Sequence, residues 1–144
     1  MSRSTPRADH LLAQMTLEEK VGQLTQLNAG DGFDAAALRE GSVGSLMNAS
    51  GALTGQGASA SSTAEAGNYL QRLALESRLQ IPLLFGRDVI HGYRTVFPIP
   101  LAQAAAFDPA LTQEAAAVAA REATAGGIKW AFGPMLDIAR DPRW

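Results

Sequence analysis

The fold of this chain is constrained most by three short runs that are rich in apolar residues. Stretches with helical periodicity separate these runs. The runs occupy residues 42–48 (SVGSLMN), 81–86 (IPLLFG) and 128–133 (IKWAFG). Strands that are apolar on both faces are typical of a parallel sheet covered by helices. Because helices alternate with these strands, the sequence predicts right-handed βαβ units and an α/β fold. Trp130, in the third run, is expected in the core.

Capping signals mark where the helices begin and end. Residues 16–19 (TLEE) and 62–65 (STAE) each match the capping box, in which two side chains satisfy backbone amides at a helix start. The pair at 108–109 (DP) also predicts a helix start, and that helix is expected to end at residues 126–127 (GG).

The N-terminal segment is expected to be a flexible lead-in over residues 1–10, followed by one domain over residues 11–144. Apolar residues at helical spacing predict a helix that begins at Leu11, with a possible restart at Thr16, and that extends to about Leu27.

The composition excludes several classes of function. The 144 residues carry a net charge of −2, which argues against nucleic acid or an anionic membrane as partner. The chain has no cysteine and two histidines, which excludes disulfides, thiolate catalysis and cysteine- or histidine-rich metal sites. No apolar run approaches the roughly 20 residues that cross a bilayer. No secretory signal peptide is visible in residues 1–10.

The loop after the second apolar run carries the candidate ligand-binding residues, because working groups in parallel α/β folds follow the carboxyl ends of strands. Asp88 either accepts hydrogen bonds from substrate hydroxyls or caps a turn. Arg94 either shares a polyol ligand or pairs with Asp88, or it is a surface arginine. Tyr93 either stacks on a sugar ring or anchors the loop. His91 either acts as an acid/base or orders the loop through the backbone.

The loop after the third run is also charged. Asp137 could face Asp88 across a glycosidic bond, but retaining chemistry needs about 5–5.5 Å between the carboxylates, a distance that no sequence supplies. Arg140, Asp141 and Arg143 are expected to form an ion-pair cluster that shapes the loop.

Four motifs occur in order along the chain. They are residues 15–23 (MTLEEKVGQ), 41–45 (GSVGS), 81–98 (IPLLFGRDVIHGYRTVFP), and 123–128 (ATAGGI) continued by 130–144 (WAFGPMLDIARDPRW). Together they resemble the N-terminal domain of family 3 glycoside hydrolases, in particular the bacterial periplasmic-type β-glucosidases. The resemblance extends from about Leu11 to Trp144.

This resemblance implies a partial (β/α)8 barrel of the TIM type, with about the first three βα units in this chain. Residues 11–144 are then the N-terminal part, truncated, of the barrel domain. The implied reaction is retaining hydrolysis of terminal β-D-glucosyl residues from a β-glucoside or related oligosaccharide, with no metal or organic cofactor. The resemblance assigns substrate binding to Asp88, from the family's D-V-I-H-G motif, and to Arg94. Asp137 then looks like a loop residue and not a partner in catalysis.

The resemblance places the nucleophile and the acid/base beyond Trp144, so we expect no catalytic residue within the chain and no activity of the chain alone. The alternative is a non-catalytic sugar-binding or barrel-completing module that assembles with the missing remainder of the barrel in another chain. Relatives are often periplasmic or secreted, whereas the visible sequence alone would be cytoplasmic, so the compartment stays open.

Overall fold

The computed structural model describes residues 6–29, 34–47, 63–136 and 140–141. The chain divides into two compact units, residues 1–86 and residues 87–144.

The first unit alternates helices with strands. Its elements are α1 (Pro6–Gln14), α2 (Leu17–Leu24), β1 (Gln26–Asn28), α3 (Ala36–Arg39), β2 (Ser45–Met47), α4 (Thr63–Ala74) and β3 (Leu84–Arg87), the last residue of which belongs to the second unit. Strands β1, β2 and β3 pair in parallel in that order. The predicted α/β alternation is therefore confirmed, and each of the first two strands is followed by a helix.

Helix α4 packs on one face of this sheet. Leu27 pairs with Leu46, and Leu46 pairs with Phe85, so these three side chains share a face. Leu46 and Phe85 are buried, and α4 packs on this face, since a Cβ at Gly67 would lie 3.7 Å from the Phe85 ring. Leu84, whose side chain points to the opposite face, is 42% exposed.

The core of the first unit consists of apolar side chains from α3, α4 and the strands. Its buried members, which include residues next to the strands, are Ala29, Leu38, Val43, Leu46, Ala66, Leu70, Leu73, Ala74, Leu83 and Phe85. Gln71 adds a polar link, because its side-chain amide donates to the Leu83 carbonyl at 2.8 Å and accepts from the Leu83 amide at 2.9 Å. This pairing holds the chain entering β3 against α4.

The segment predicted as one helix from Leu11 is two helices and a strand. Helix α1 already begins at Pro6, so residues 6–10, expected in the lead-in, are helical. The capping box at residues 16–19 is confirmed: Glu19 N donates to Thr16 Oγ1 at 3.2 Å, and Thr16 N donates to Glu19 Oε2 at 2.9 Å. The predicted cap at Ser62 lies outside the described residues.

The strand β1 was not predicted, and the expected continuation of the helix to about Leu27 is wrong, because Gln26–Asn28 is a strand. Leu24 and Leu27 are three residues apart, a spacing that fits a helix, and three residues are too few to show strand alternation. Thr25 adopts an extended backbone (φ −83°, ψ 126°) that ends α2 and starts the strand.

The second unit contains α5 (Pro100–Ala105), α6 (Pro109–Ala125) and β4 (Trp130–Ala131). The predicted start of α6 is confirmed, because Asp108 Oδ1 accepts from Ala110 N at 3.0 Å and from Leu111 N at 3.2 Å. Its predicted end is confirmed as well: Gly127 has a positive φ of 87°. After β4, the Phe132 amide donates to the Arg87 carbonyl at 3.0 Å and links the two strand ends.

Trp130 is not a core residue, contrary to the prediction, since it is 41% exposed. Strand β4 has two residues and both are exposed. The indole packs edge-on against Phe132, with ring centroids 5.0 Å apart, and this contact leaves the rest of the indole open.

The close approach of α2 to the chain entering β2 predicts a stability effect. A Cβ at Gly44 would lie 2.7 Å from the Gln23 Cα and closer still to the Gln23 carbonyl oxygen. We expect Gly44→Ala to lower the free energy of unfolding by about 1–3 kcal/mol, because the backbones must move apart. Chemical denaturation monitored by circular dichroism measures this change.

The matched control for that variant is Gly67→Ala. A Cβ there meets only ordinary van der Waals contact, at 3.7 Å from Phe85 Cε2, and the site is inside α4. Alanine is therefore expected to stabilise the helix by about 0.5–1 kcal/mol. Equal loss of stability in both variants would contradict the predicted close approach.

Candidate functional site

The candidate site begins where β3 ends. The register aligns Asn28, Met47 and Gly86 across the three parallel strands, so their carboxyl ends form one edge of the sheet. Asp88 follows the last residue of β3 directly, and its side chain is exposed. The sequence thus places a carboxylate at the position where parallel α/β folds bind ligands.

The Asp88 carboxylate is open to a ligand. Within the part of the chain that the structure describes, no amide or side chain donates a hydrogen bond to it. A turn-capping aspartate would accept such a bond from a backbone amide, so the geometry favours the ligand-binding interpretation over the capping one. The carboxylate oxygens of Asp88 are therefore left to accept hydrogen bonds from solvent or a ligand.

Arg94, the second predicted binding residue, lies on the same loop with an exposed side chain. Its backbone amide donates to Glu122 Oε2 at 2.9 Å. The neighbouring Thr95 adds two bonds to the same carboxylate: its amide donates to Oε2 at 2.8 Å and its hydroxyl donates to Oε1 at 2.7 Å. The loop is therefore fixed at Arg94 and Thr95 by one side chain of α6.

Glu122 is the functional candidate that the sequence interpretation missed. Hydrogen bonds from the Thr95 amide and hydroxyl hold the pKa of Glu122 below its ordinary value of 4.5. The hydrogen bond from the Arg94 amide and the positive charge of Arg94 add to this effect. One feature of the sequence could have pointed to Glu122: it lies in the last turn of α6, where the helix dipole disfavours a negative charge. A glutamate at such a position needs donors from elsewhere.

His91 orders the loop, as one of the two interpretations of it predicted. Its Nδ1 lies 2.8 Å from the Phe97 carbonyl oxygen. The Phe97 amide in turn donates to the His91 carbonyl at 2.7 Å. Gly92, between them, has a φ of 128°, and a Cβ at that position would collide with the Thr95 carbonyl. The turn thus requires glycine at this position.

Tyr93 anchors the loop on the end of α6. A Cβ at Gly126 would lie 2.6 Å from the Tyr93 hydroxyl, so the ring sits where only a glycine allows it. The Arg87 guanidinium lies 5.5 Å from the centroid of the same ring, within the range of a cation–π interaction. Both contacts agree with the loop-anchor interpretation of Tyr93.

A cavity of about 330 Å³ is lined by residues 89–92, Phe97 and Gln103 and by the alanine-rich side of α6. Asp88 and Arg94 do not line it. Its walls are largely apolar alanine side chains, and His91 and Gln103 within them already bond to the carbonyl oxygens of Phe97 and Pro98.

The charged loop after β4 is described only in part. Arg140 and Asp141 have exposed side chains, while Asp137 and Arg143 lie outside the described residues. The ion-pair cluster and the pairing of Asp137 with Asp88 therefore stay predictions. Across residues 6–29, 34–47, 63–136 and 140–141, no group of three or more metal-binding side chains is close enough to hold an ion. No helix of the same residues has the length and apolarity that crossing a membrane requires.

The Glu122 hydrogen bonds predict that the loop is sensitive to acid. Because the pKa of Glu122 is lowered in the folded protein, its stabilising effect is complete above its ordinary value of 4.5. The effect is lost as the pH falls through the lowered folded pKa. We expect the exchange protection factors of the Arg94 and Thr95 amides, measured by NMR, to fall in that acidic range.

The Gly126 amide is the internal control for this measurement. It donates to the Glu122 backbone carbonyl at 3.0 Å, and this acceptor does not titrate. Its protection should persist where that of Arg94 and Thr95 is lost. If the protection of all three amides falls together, the protein unfolds as a whole in acid, and the proposed role of the carboxylate is contradicted.

Comparison with known proteins gives the family. Residues 16–144 match the glycosyl hydrolase family 3 N terminal domain. The chain is 40% identical over 138 residues to the periplasmic beta-glucosidase of Salmonella typhimurium, covering 93% of this chain and 17% of that protein. It is 35% identical over 154 residues to beta-glucosidase C of Emericella nidulans, covering 96% of this chain and 25% of that protein.

Solved structures agree with these sequence relatives. A beta-glucosidase from Listeria innocua, in complex with isofagomine, has a TM-score of 0.77 at 38% identity and covers 99% of this chain and 19% of that one. An exo-1,3/1,4-beta-glucanase from Pseudoalteromonas has a TM-score of 0.83 at 29% identity, with the same two coverages of 99% and 19%.

The chain spans about a fifth of the length of these relatives. The predicted fold, comprising the first βα units of a TIM-type barrel, is confirmed by the same matches. The motifs that contain Asp88 and Arg94 lie within the matched region of residues 16–144. This chain therefore belongs to the glycoside hydrolase family 3 N-terminal domain family.

Proposed function

We propose that this chain supplies the sugar-binding residues of a β-glucosidase that removes terminal β-D-glucosyl residues with retention of configuration. The observation that carries the proposal is the open carboxylate of Asp88 at the carboxyl end of a parallel strand, inside a domain of this family. The named relatives are β-glucosidases, and the Listeria innocua β-glucosidase has also been solved in complex with glucose.

Asp88 and Arg94 divide the recognition of a sugar between an acceptor and a donor. A carboxylate accepts hydrogen bonds from two neighbouring hydroxyls, and a guanidinium donates to their oxygen atoms. Such charge-assisted bonds contribute about 1.5–3 kcal/mol each. Where they strengthen as the ring distorts towards an oxocarbenium-like state, they lower the barrier as well as the dissociation constant.

The groups that break the glycosidic bond are a separate part of the proposal. Retaining hydrolysis needs a nucleophile and an acid/base about 5–5.5 Å apart. We propose that both are supplied from outside these 144 residues, since the carboxylate at the candidate site is used to bind hydroxyls. The enzyme names of the relatives disfavour the alternative of a non-catalytic module. Two periplasmic relatives support a periplasmic or secreted location.

The function of Asp88 can be tested in a chimera. Residues 16–144 replace the matched segment of the Listeria innocua β-glucosidase, whose identity over the match is 38%. We expect the chimera to hydrolyse p-nitrophenyl β-glucoside. Asp88→Asn should lower kcat/KM by about tenfold to a hundredfold, because one charged acceptor of the sugar hydroxyls is lost.

Asp34→Asn is the matched control for this variant. Asp34 is an exposed carboxylate whose Oδ1 accepts from Ala36 N at 2.8 Å, at the start of α3. Asparagine serves equally well at such a position, so kcat/KM should be unchanged. An active chimera in which Asp88→Asn also leaves kcat/KM unchanged would overturn the assignment of Asp88.

The 144-residue chain by itself is expected to be inactive. Its described residues provide four strands, whereas the barrel requires eight. Purified chain should therefore release no p-nitrophenol from the aryl glucoside above the buffer rate, while the Listeria innocua enzyme assayed in parallel does so. Turnover that copurifies with the folded 144-residue chain would contradict the placement of the nucleophile and the acid/base.

A further inference from the structure

We propose that Glu122 is a positioning residue for the sugar subsite: its carboxylate fixes the backbone at Arg94 and thereby holds the Arg94 guanidinium in place for the sugar. The inference rests on the proposed function, because it takes Arg94 to be a ligand-binding residue. It adds a residue of α6 to a site whose other members lie on the loop after β3.

The hydrogen bonds of Glu122 are directed at the backbone of the binding residue itself. Oε2 accepts from two consecutive amides, Arg94 N at 2.9 Å and Thr95 N at 2.8 Å. Oε1 accepts from the Thr95 hydroxyl at 2.7 Å. Three bonds from two adjacent residues fix the orientation of the peptide as well as its position, and so fix where the Arg94 side chain leaves the loop.

Glu122 belongs to a long helix, and that helix makes a second contact with the loop one turn after Glu122. Helix α6 has 17 residues, and Glu122 lies in its last turn. Gly126, four residues later, makes room for the Tyr93 ring. Residues 93–95 are therefore held on one helix end at two points. An arginine side chain has many rotamers, and ordering them on binding costs conformational entropy. A backbone that is already fixed adds no further cost, which limits the total entropy lost on binding.

The position of Glu122 argues against a role in helix stability alone. A carboxylate in the last turn opposes the helix dipole, so the helix gains nothing from it. Its hydrogen bonds all stabilise the loop. Glutamine has almost the same shape as glutamate, but an NH₂ group takes the place of one acceptor oxygen. This NH₂ donor would face the N–H and O–H donors of the loop and could not accept from them.

The test is an NMR titration of the full, isotope-labelled chain with glucose. The dissociation constants of wild type, Glu122→Gln, Arg94→Ala and the double variant form a thermodynamic cycle. Glu122→Gln should weaken glucose binding about threefold to tenfold, the loss expected for one to two hydrogen bonds. In the Arg94→Ala background the same change should have no further effect, since the group that it positions is gone.

Two further variants complete the design. Thr95→Val removes one of the three hydrogen bonds with little change in shape and should weaken binding by a smaller factor than Glu122→Gln. Glu114→Gln is the matched control: Glu114 is an exposed carboxylate on the same helix and should leave the dissociation constant unchanged. The dispersion of the amide spectrum shows whether each variant is folded.

The outcomes separate this inference from the proposed function. If Glu122→Gln weakens binding equally with and without Arg94, or does not weaken it, the positioning role is wrong. If Asp88→Asn weakens binding while folded Glu122→Gln does not, the inference alone fails. If the wild-type chain shows no glucose-dependent shifts, the proposed function of Asp88 and Arg94 in this chain is wrong, and the inference fails with it.

Discussion

The parallel pairing of β2 with β3 is the constraint on which the rest of the first unit depends. Leu46 lies opposite Phe85, and both are buried on the face that α4 covers. A shift of one residue would exchange Phe85 for Leu84 on that face and bury the wrong side chain. The burial of Phe85 therefore sets the register of β3, the strand that Asp88 follows directly in the sequence.

The loop after β3 separates the groups that hold it from the carboxylate of Asp88, which is exposed. Three side chains of the loop hold it in place. His91 contacts the Phe97 carbonyl oxygen, Tyr93 packs against Gly126, and the Thr95 hydroxyl donates to Glu122. The Asp88 carboxylate, in contrast, receives no donor from the described part of the chain. This division is what a binding site requires, because the scaffold stays rigid while the recognising groups keep their hydrogen-bonding capacity for the ligand.

Local signals predicted much of the fold but not all of it. The capping box at residues 16–19 and the start of α6 at Asp108 depend on neighbouring residues, so the sequence contains the whole interaction. Strand β1 was missed because its pairing with β2 is a long-range interaction that a three-residue segment does not reveal. Glu122 was missed for the same reason: its donors lie 27 and 28 residues away in sequence. Asp88 and Arg94 were predicted because the strand end and the family motif both point to them, and their roles stay predictions.

The most direct measurement of the central claim is the crystal structure, with glucose bound, of an active enzyme that contains residues 16–144. The account predicts that both Asp88 carboxylate oxygens lie within hydrogen-bond distance, about 2.5–3.0 Å, of adjacent sugar hydroxyls. It also predicts that the Arg94 guanidinium contacts the same ring. A glucose molecule bound elsewhere, with Asp88 facing solvent, would contradict it.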